Sequence, residues 1–209
     1  MPRIALARRL EPGATDQLHA ADRRGVRVLA VALLAGAVAA VVALAAWGSL
    51  TPLAARLAAL GLLVAVAVVA QHRDVFFHFE AGVEAGSAIV VASVLVLGRG
   101  NLAGPVLVGV VSGVAFLPHL RARAWLRLAY NAGNFGLAAL AAAGATAALP
   151  VHPSSGVGAT ALVSVVAGLA YWLVNDSLLF LLFFLRGSQA ISLLFVGGGL
   201  FFAGRIPIA

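Results

Sequence analysis

The chain has 209 residues, 63% hydrophobic and 10% charged, with no cysteine and a mean hydropathy of +1.06. Soluble domains are roughly 45–50% apolar and about 25% charged, so this composition leaves too little polar surface to coat a water-soluble globule. It excludes a soluble enzyme, a nucleic-acid-binding domain and a disulfide-stapled secreted module, and the lack of cysteine removes thiolate catalysis and cysteine-ligated metal. The net charge of +7 arises from fourteen basic residues, all arginine, which sit mostly between apolar stretches and act as topology signals in an integral membrane protein. Arginine without lysine, beside so much Ala, Gly and Val, is the composition of a GC-rich bacterium.

In chain order, residues 1–27 set six arginines against Glu11, Asp16 and Asp22 with no apolar periodicity, and are expected to form a basic cytoplasmic tail. The 28 residues between Arg27 and Arg56 carry no charge. A bilayer core needs about 20 helical residues, so 28–48 is the first span. A turn leads to a second span over 53–70, with the Arg56 stem snorkelling outward to headgroups. The third, 75–97, opens on Phe76, Phe77 and Phe79 interleaved with His78, Glu80 and Glu84, which makes its first turns interfacial or protein-buried. The fourth covers 102–117 and ends before Arg121, Arg123 and Arg127, a cytoplasmic loop. Between Arg127 and Arg186 only Asp176 is charged, and Pro150, Pro153 and the small residues 154–158 divide this stretch into spans 128–149 and 159–185 around an outside hairpin.

The expected fold is therefore all-α, a polytopic integral membrane helical bundle of about six transmembrane helices over 28–186. Eleven arginines fall on the side of the N-terminus and only Arg56 and Arg99 on the other, which places both ends of the bundle in the cytoplasm of a bacterial inner membrane. Residues 187–209 are apolar but carry three glycines at 197–199, a loss of roughly 2–3 kcal/mol in helix propensity relative to alanine. A weak seventh span, a re-entrant segment and a piece of a longer protein all fit that pattern.

Charged groups inside a membrane cost a few kcal/mol or more, so each is a functional candidate. Charged and amide side chains within the spans are few here: Glu80, Glu84, Asn131, Asn134, Asn175 and Asp176. At about 1.5 Å per residue, Glu84, Asn134 and Asp176 all lie roughly 10–15 Å in from the cytoplasmic ends of spans three, five and six. Glu84, Asn131, Asn134, Asn175 and Asp176 are expected to converge on one polar network, the carboxylates accepting from the Asn amides and from Ser177 or Tyr130. The same residues serve equally as interhelical packing glue, worth about 0.6 kcal/mol per hydrogen bond, and the small pairs Gly82/Gly86 and Gly109/Gly113 fit close helix packing. Lipid-headgroup contact is the third reading of the two acids.

Asp74 with His78, and Glu80 with Glu84, would align as i,i+4 pairs on a helix and invite a metal, but no zinc spacing such as HExxH accompanies them. No metal and no cofactor is assigned. GxSxG, HExxH and P-loop patterns are absent from the sequence, and the Ser154-Ser155-Gly156 stretch reads as a turn beside an exposed His152. The chain is therefore read as non-enzymatic.

Three short stretches carry a resemblance: Phe79-Glu80-Ala81-Gly82-Val83-Glu84, Tyr130-Asn131-Ala132-Gly133-Asn134-Phe135, and Leu173-Val174-Asn175-Asp176-Ser177-Leu178-Leu179. Over roughly 79–187 the chain resembles the N-terminal multi-span membrane sensor region of actinobacterial signalling proteins that end in HD-type phosphohydrolase or GGDEF-type diguanylate cyclase domains. That resemblance implies a helical module that senses a cue or anchors a cytoplasmic effector. No effector residues occur in these 209, so such a module would act through a cytoplasmic signalling or membrane partner, or belong to a longer chain. Six-span modules rich in small residues are also similar to substrate-binding subunits of energy-coupling-factor vitamin transporters, which dock to a partner through small-residue faces such as Gly82, Gly86, Gly109 and Gly113 would form. The leading expectation is a non-enzymatic sensory or anchoring module in contact with the lipid bilayer and a small-molecule ligand, with no nucleic acid; the alternative is the transporter subunit.

Overall fold

The computed structural model describes residues 12–46, 56–70, 75–77, 81–83, 85–97, 101–115 and 117–185. They form α1 (Pro12–Ala46), α2 (Leu57–Ala70), strands β1 (Val75–Phe77) and β2 (Ala81–Val83), α3 (Ala85–Leu97), α4 (Ala103–Val114), α5 (Leu117–Arg121), α6 (Trp125–Ala147) and α7 (Val157–Leu185), with a 3₁₀ turn at Pro153–Ser155. The protein is thus predominantly α-helical. The weak seventh segment expected in 187–209, and Glu84 with its neighbours Asp74, His78 and Glu80, lie outside the described residues.

Two helices contain stretches long and apolar enough to cross a membrane, Arg24–Leu44 in α1 and Val157–Leu182 in α7. The expected tail is not a separate coil where it is described. Pro12, whose missing N–H costs nothing in a first helical turn, opens α1, and the helix runs 35 residues, about 52 Å, well beyond a bilayer core of about 30 Å. Helices α2, α3 and α4 have 14, 13 and 12 residues, or roughly 18–21 Å each, shorter than that core. Each of the six expected spans therefore contains a helix, but four of the six do not meet the requirements of a span on their own.

Helix α6 is the informative case. Its 23 residues are long enough, yet Ala, Gly and two Asn make it less apolar than α4 and α7. It is also the helix that α1, α4 and α7 all pack against. Surrounded by protein, it needs small residues for close approach more than it needs lipid-soluble ones. Ala132, Ala138, Ala139 and Ala142 are fully buried. The large apolar side chains point outward instead: Val28, Val31, Val38 and Val42 on α1, and Val165, Leu169, Leu173 and Phe184 on α7, are exposed. A small-residue interior inside a coat of exposed Val, Leu and Phe suits a lipid surround and would aggregate in water.

The α4–α6 crossing follows from the glycine pair. A Cβ on Gly109 would lie 2.5 Å from the Phe135 carbonyl oxygen, and one on Gly113 would lie 2.5 Å from the Asn131 carbonyl carbon. The other side of α6 repeats the device, since a Cβ on Gly133 would lie 2.5 Å from the Leu33 carbonyl carbon of α1. Gly109 and Gly113 are therefore buried inside the bundle and are not free to contribute to the docking face that the transporter alternative could draw on.

Three local features depart from expectation. The third span does not begin as a helix: Val75–Phe77 pairs antiparallel with Ala81–Val83 in the register Val75↔Val83, Phe76↔Gly82, Phe77↔Ala81. Val and Phe favour strand and Gly82 disfavours helix, so the helix starts only at Ala85. Asp74, His78, Glu80 and Glu84, the residues of the expected i,i+4 pairings, flank these strands and lie outside the described residues. Arg56 does not merely snorkel. Its Nη1 donates to the carbonyls of Leu97 and, at 3.3 Å, Val96, satisfying oxygens that the end of α3 leaves unpaired. Finally, α5 closes in a Schellman motif: the Ala124 N–H donates to the His119 carbonyl at 2.9 Å and the Arg123 N–H to that of Leu120 at 3.0 Å.

The Schellman motif puts Arg123 at φ 51°, the left-handed region where a side chain is unfavourable by about 1–2 kcal/mol. Arg123→Gly is expected to raise stability by about 1 kcal/mol, read as a higher thermal midpoint in detergent. An unchanged or lower midpoint would mean that the arginine side chain makes a compensating contact.

Candidate functional site

Helices α3, α6 and α7 enclose a cleft of about 670 Å³. Helix α3 supplies Ser87, Ala88 and Val91, and α6 supplies Tyr130, Asn131, Asn134 and Phe135. On α7 the lining residues are Gly168, Tyr171, Trp172, Asn175, Asp176 and Leu179, an i, i+3, i+4, i+7 series that forms one helical stripe. Four of the five expected network residues, Asn131, Asn134, Asn175 and Asp176, thus line one cavity. The fifth, Glu84, falls just before α3 and outside the described residues.

A hydrogen-bonded relay joins α6 to α7. Asn134 Nδ2 donates to Asn175 Oδ1 at 2.8 Å, and Asn175 Nδ2 donates to Asp176 Oδ1 at 3.2 Å. The buried polar atoms at the cleft that have no hydrogen-bond partner among the described residues include Asn134 Oδ1 and the Tyr130 hydroxyl. Asn134 itself is only 3% exposed. Among the described residues neither the Tyr130 hydroxyl nor Ser177 donates to the Asp176 carboxylate, and Ser177 is exposed and absent from the cleft lining; Glu84, the other expected acceptor, lies outside the described residues. Tyr171 and Trp172 were not singled out from the sequence. Their spacing from Asn175 and Asp176, one helical turn, was the signal.

A smaller cavity of about 270 Å³ adjoins the cleft, sharing Tyr130, Asn131 and Leu179 and adding Val26, His119 and Arg127. Both cavities therefore lie toward the end of the bundle that carries α5 and the arginine loop. Burial pushes the His119 imidazole below its ordinary value of 6.5, and the nearby Arg127 guanidinium pushes the same way. The folded state thus resists a proton that the unfolded chain accepts. Stability is full above about pH 6.5 and falls as the pH drops from there toward the lowered folded value. The thermal midpoint of the wild type should fall more between pH 7.5 and 5.5 than that of His119→Gln; equal falls would show that His119 is not the group responsible.

At the opposite end, His152 Nδ1 accepts from the Ser154 N–H at 3.2 Å and lies 2.7 Å from Ser154 Oγ. The contact is local and exposed, and it caps the 3₁₀ turn ahead of Gly156, whose φ of 128° suits glycine. It has the form of a turn, as expected. Comparison with protein-family models, curated proteins and solved structures gives no match.

Proposed function

We propose that this chain is a non-enzymatic sensory module of a bacterial inner membrane, in which the cleft between α3, α6 and α7 takes a small ligand and passes its occupancy to a cytoplasmic or membrane partner. In this reading the six helices α1, α2, α3, α4, α6 and α7 are the transmembrane set, the N-terminus is cytoplasmic, and the cleft faces the cytoplasmic half. The resemblance to the membrane regions of HD-type and GGDEF-type signalling proteins supplies the class of partner.

The observation that carries the reading is that two buried polar atoms at the cleft, Asn134 Oδ1 and the Tyr130 hydroxyl, find no partner among the described residues. Interhelical glue alone would be expected to satisfy itself, because an unpaired buried polar group costs about 1–3 kcal/mol. A cavity of about 670 Å³ lies in the size range of small-molecule sites, roughly 300–1,000 Å³. The transporter reading shares the cleft but has lost Gly109 and Gly113 as a docking face.

The test is the thermal midpoint of the purified full chain in detergent, with and without the dialysable low-mass fraction of a bacterial extract. A saturable rise that Asn134→Leu abolishes supports a ligand site. No rise, together with an Asn134→Leu variant less stable than the wild type, would return the polar network to packing glue.

A further inference from the structure

The relay across the cleft has a direction, and that direction specifies the chemistry of what fits. An ionised carboxylate only accepts hydrogen bonds, so the group of Asn175 that faces Asp176 Oδ1 at 3.2 Å is its amide nitrogen. The Asn175 oxygen is thereby turned toward α6, where it accepts from Asn134 Nδ2 at 2.8 Å. What remains of Asn134 is its oxygen, an acceptor without a partner among the described residues, on a side chain 97% shielded from solvent. The chain of amides carries the polarity of Asp176 from α7 to α6 and leaves an acceptor at each end.

Charge and shape point the same way. Asp176 is the one formally charged residue among the described lining of the cleft, and Arg127, which lines the adjoining cavity, is not part of that lining. The rings of Tyr171 and Trp172 stand one turn from Asn175 and Asp176, and aromatic faces attract cations within about 6 Å. Val91, Phe135 and Leu179 give the remaining wall an apolar character. An anion, or a ligand with only acceptors, would meet the carboxylate and an unpaired carbonyl oxygen. A bare inorganic cation would leave most of about 670 Å³ unfilled.

We infer that the cleft binds a small organic ammonium ion, its N–H groups donating to Asn134 Oδ1 and to the Asp176 carboxylate and its apolar body lying against Trp172 and Phe135. The inference rests on the reading of the cleft as a ligand site and adds the ligand class. Charge-assisted hydrogen bonds of N⁺–H to carboxylate are about twice as strong as neutral ones, so Asp176 dominates the discrimination.

Binding is measured on the full chain in detergent and potassium phosphate, by titration calorimetry and thermal shift. The probes are methyl-, butyl- and 2-phenylethylammonium, each with the alcohol and the carboxylate of matching size, and sodium chloride. The expected result is saturable binding of the ammonium series that tightens with apolar bulk, and at least tenfold weaker binding of the alcohols and carboxylates. Asp176→Asn, which keeps the shape of the side chain, should weaken the best ammonium probe at least tenfold; Trp172→Leu, at a half-exposed position, should weaken it several-fold with little change in the ligand-free midpoint. Tighter binding of an alcohol or carboxylate overturns the ligand class while leaving the cleft a ligand site. Sodium that binds saturably and displaces the ammonium probes overturns it in favour of an inorganic cation. No saturable binding by any probe overturns it as well.

Discussion

Gly113→Leu is expected to abolish the packed form of the bundle. A Cβ at this position would lie 2.5 Å from the Asn131 carbonyl carbon and 2.6 Å from Ala132 Cα, both backbone atoms of α6. Side-chain overpacking typically costs about 1–3 kcal/mol because neighbouring rotamers can yield. Backbone cannot, so the two helices must separate, and the crossing carries α6, against which α1 and α7 also pack. The loss should be about 3 kcal/mol or more, a large part of an ordinary stability of roughly 5–15 kcal/mol. Gly144, with nothing within 4 Å of its Cβ position, is the control. Gly144→Leu should elute from a sizing column and melt like the wild type, while Gly113→Leu elutes as aggregate. A monodisperse Gly113→Leu protein with an unchanged midpoint would refute the α4–α6 crossing.

Asn175→Leu is the second large effect, and its pairing with Asn134→Leu gives it meaning. Removing Asn175 strands Asn134 Nδ2 beside an oxygen that already lacks a partner, and Asp176 Oδ1 loses its donor. Leaving a buried group unsatisfied costs about 1–3 kcal/mol. The double substitution removes both amides, so it should cost less than the sum of the single ones. Interhelical hydrogen bonds in membranes couple by about 0.6 kcal/mol on average and about 1.7 at most, and this charge-linked relay should lie in the upper half of that range. Unfolding in mixed detergent micelles measures all three variants. Strict additivity would mean that Asn134 and Asn175 do not act as a pair.

What the sequence made legible follows from the physics of each signal. Six apolar stretches divided by arginines, prolines and turns were readable because charge and hydropathy act at the scale of a whole helix, and a helix lies in every one of them. The gathering of Asn131, Asn134, Asn175 and Asp176 was readable because depth along a helix is a simple function of residue number. Local competition between structures was not. The stretch that became β1 and β2 has the apolar content of a span, and only the clustering of Val75, Phe76 and Phe77 before Gly82 hinted at a hairpin. Arg56 is another such case, since its partners, the carbonyls of Val96 and Leu97, are 40 and 41 residues away and leave no trace in composition. Gly109 and Gly113 were legible as a close-packing pair, but which helix they would meet was not, and that choice decided whether they were free to receive a partner.

The absence of cysteine from the chain makes the proposed cation-accepting cleft, within a bundle proposed to face lipid, directly accessible to labelling. Single cysteines replace Ala88, in the lining of the cleft, and Leu169, exposed on α7 outside that lining. Membrane vesicles of both orientations are then treated with a trimethylammonium-ethyl thiosulfonate. The account predicts that Ala88→Cys reacts from the cytoplasmic face, that Asp176→Asn slows this reaction, and that Leu169→Cys stays inert in the bilayer. Equal inertness of Ala88→Cys and Leu169→Cys, with a cysteine at exposed Ala122 reacting normally, would contradict it.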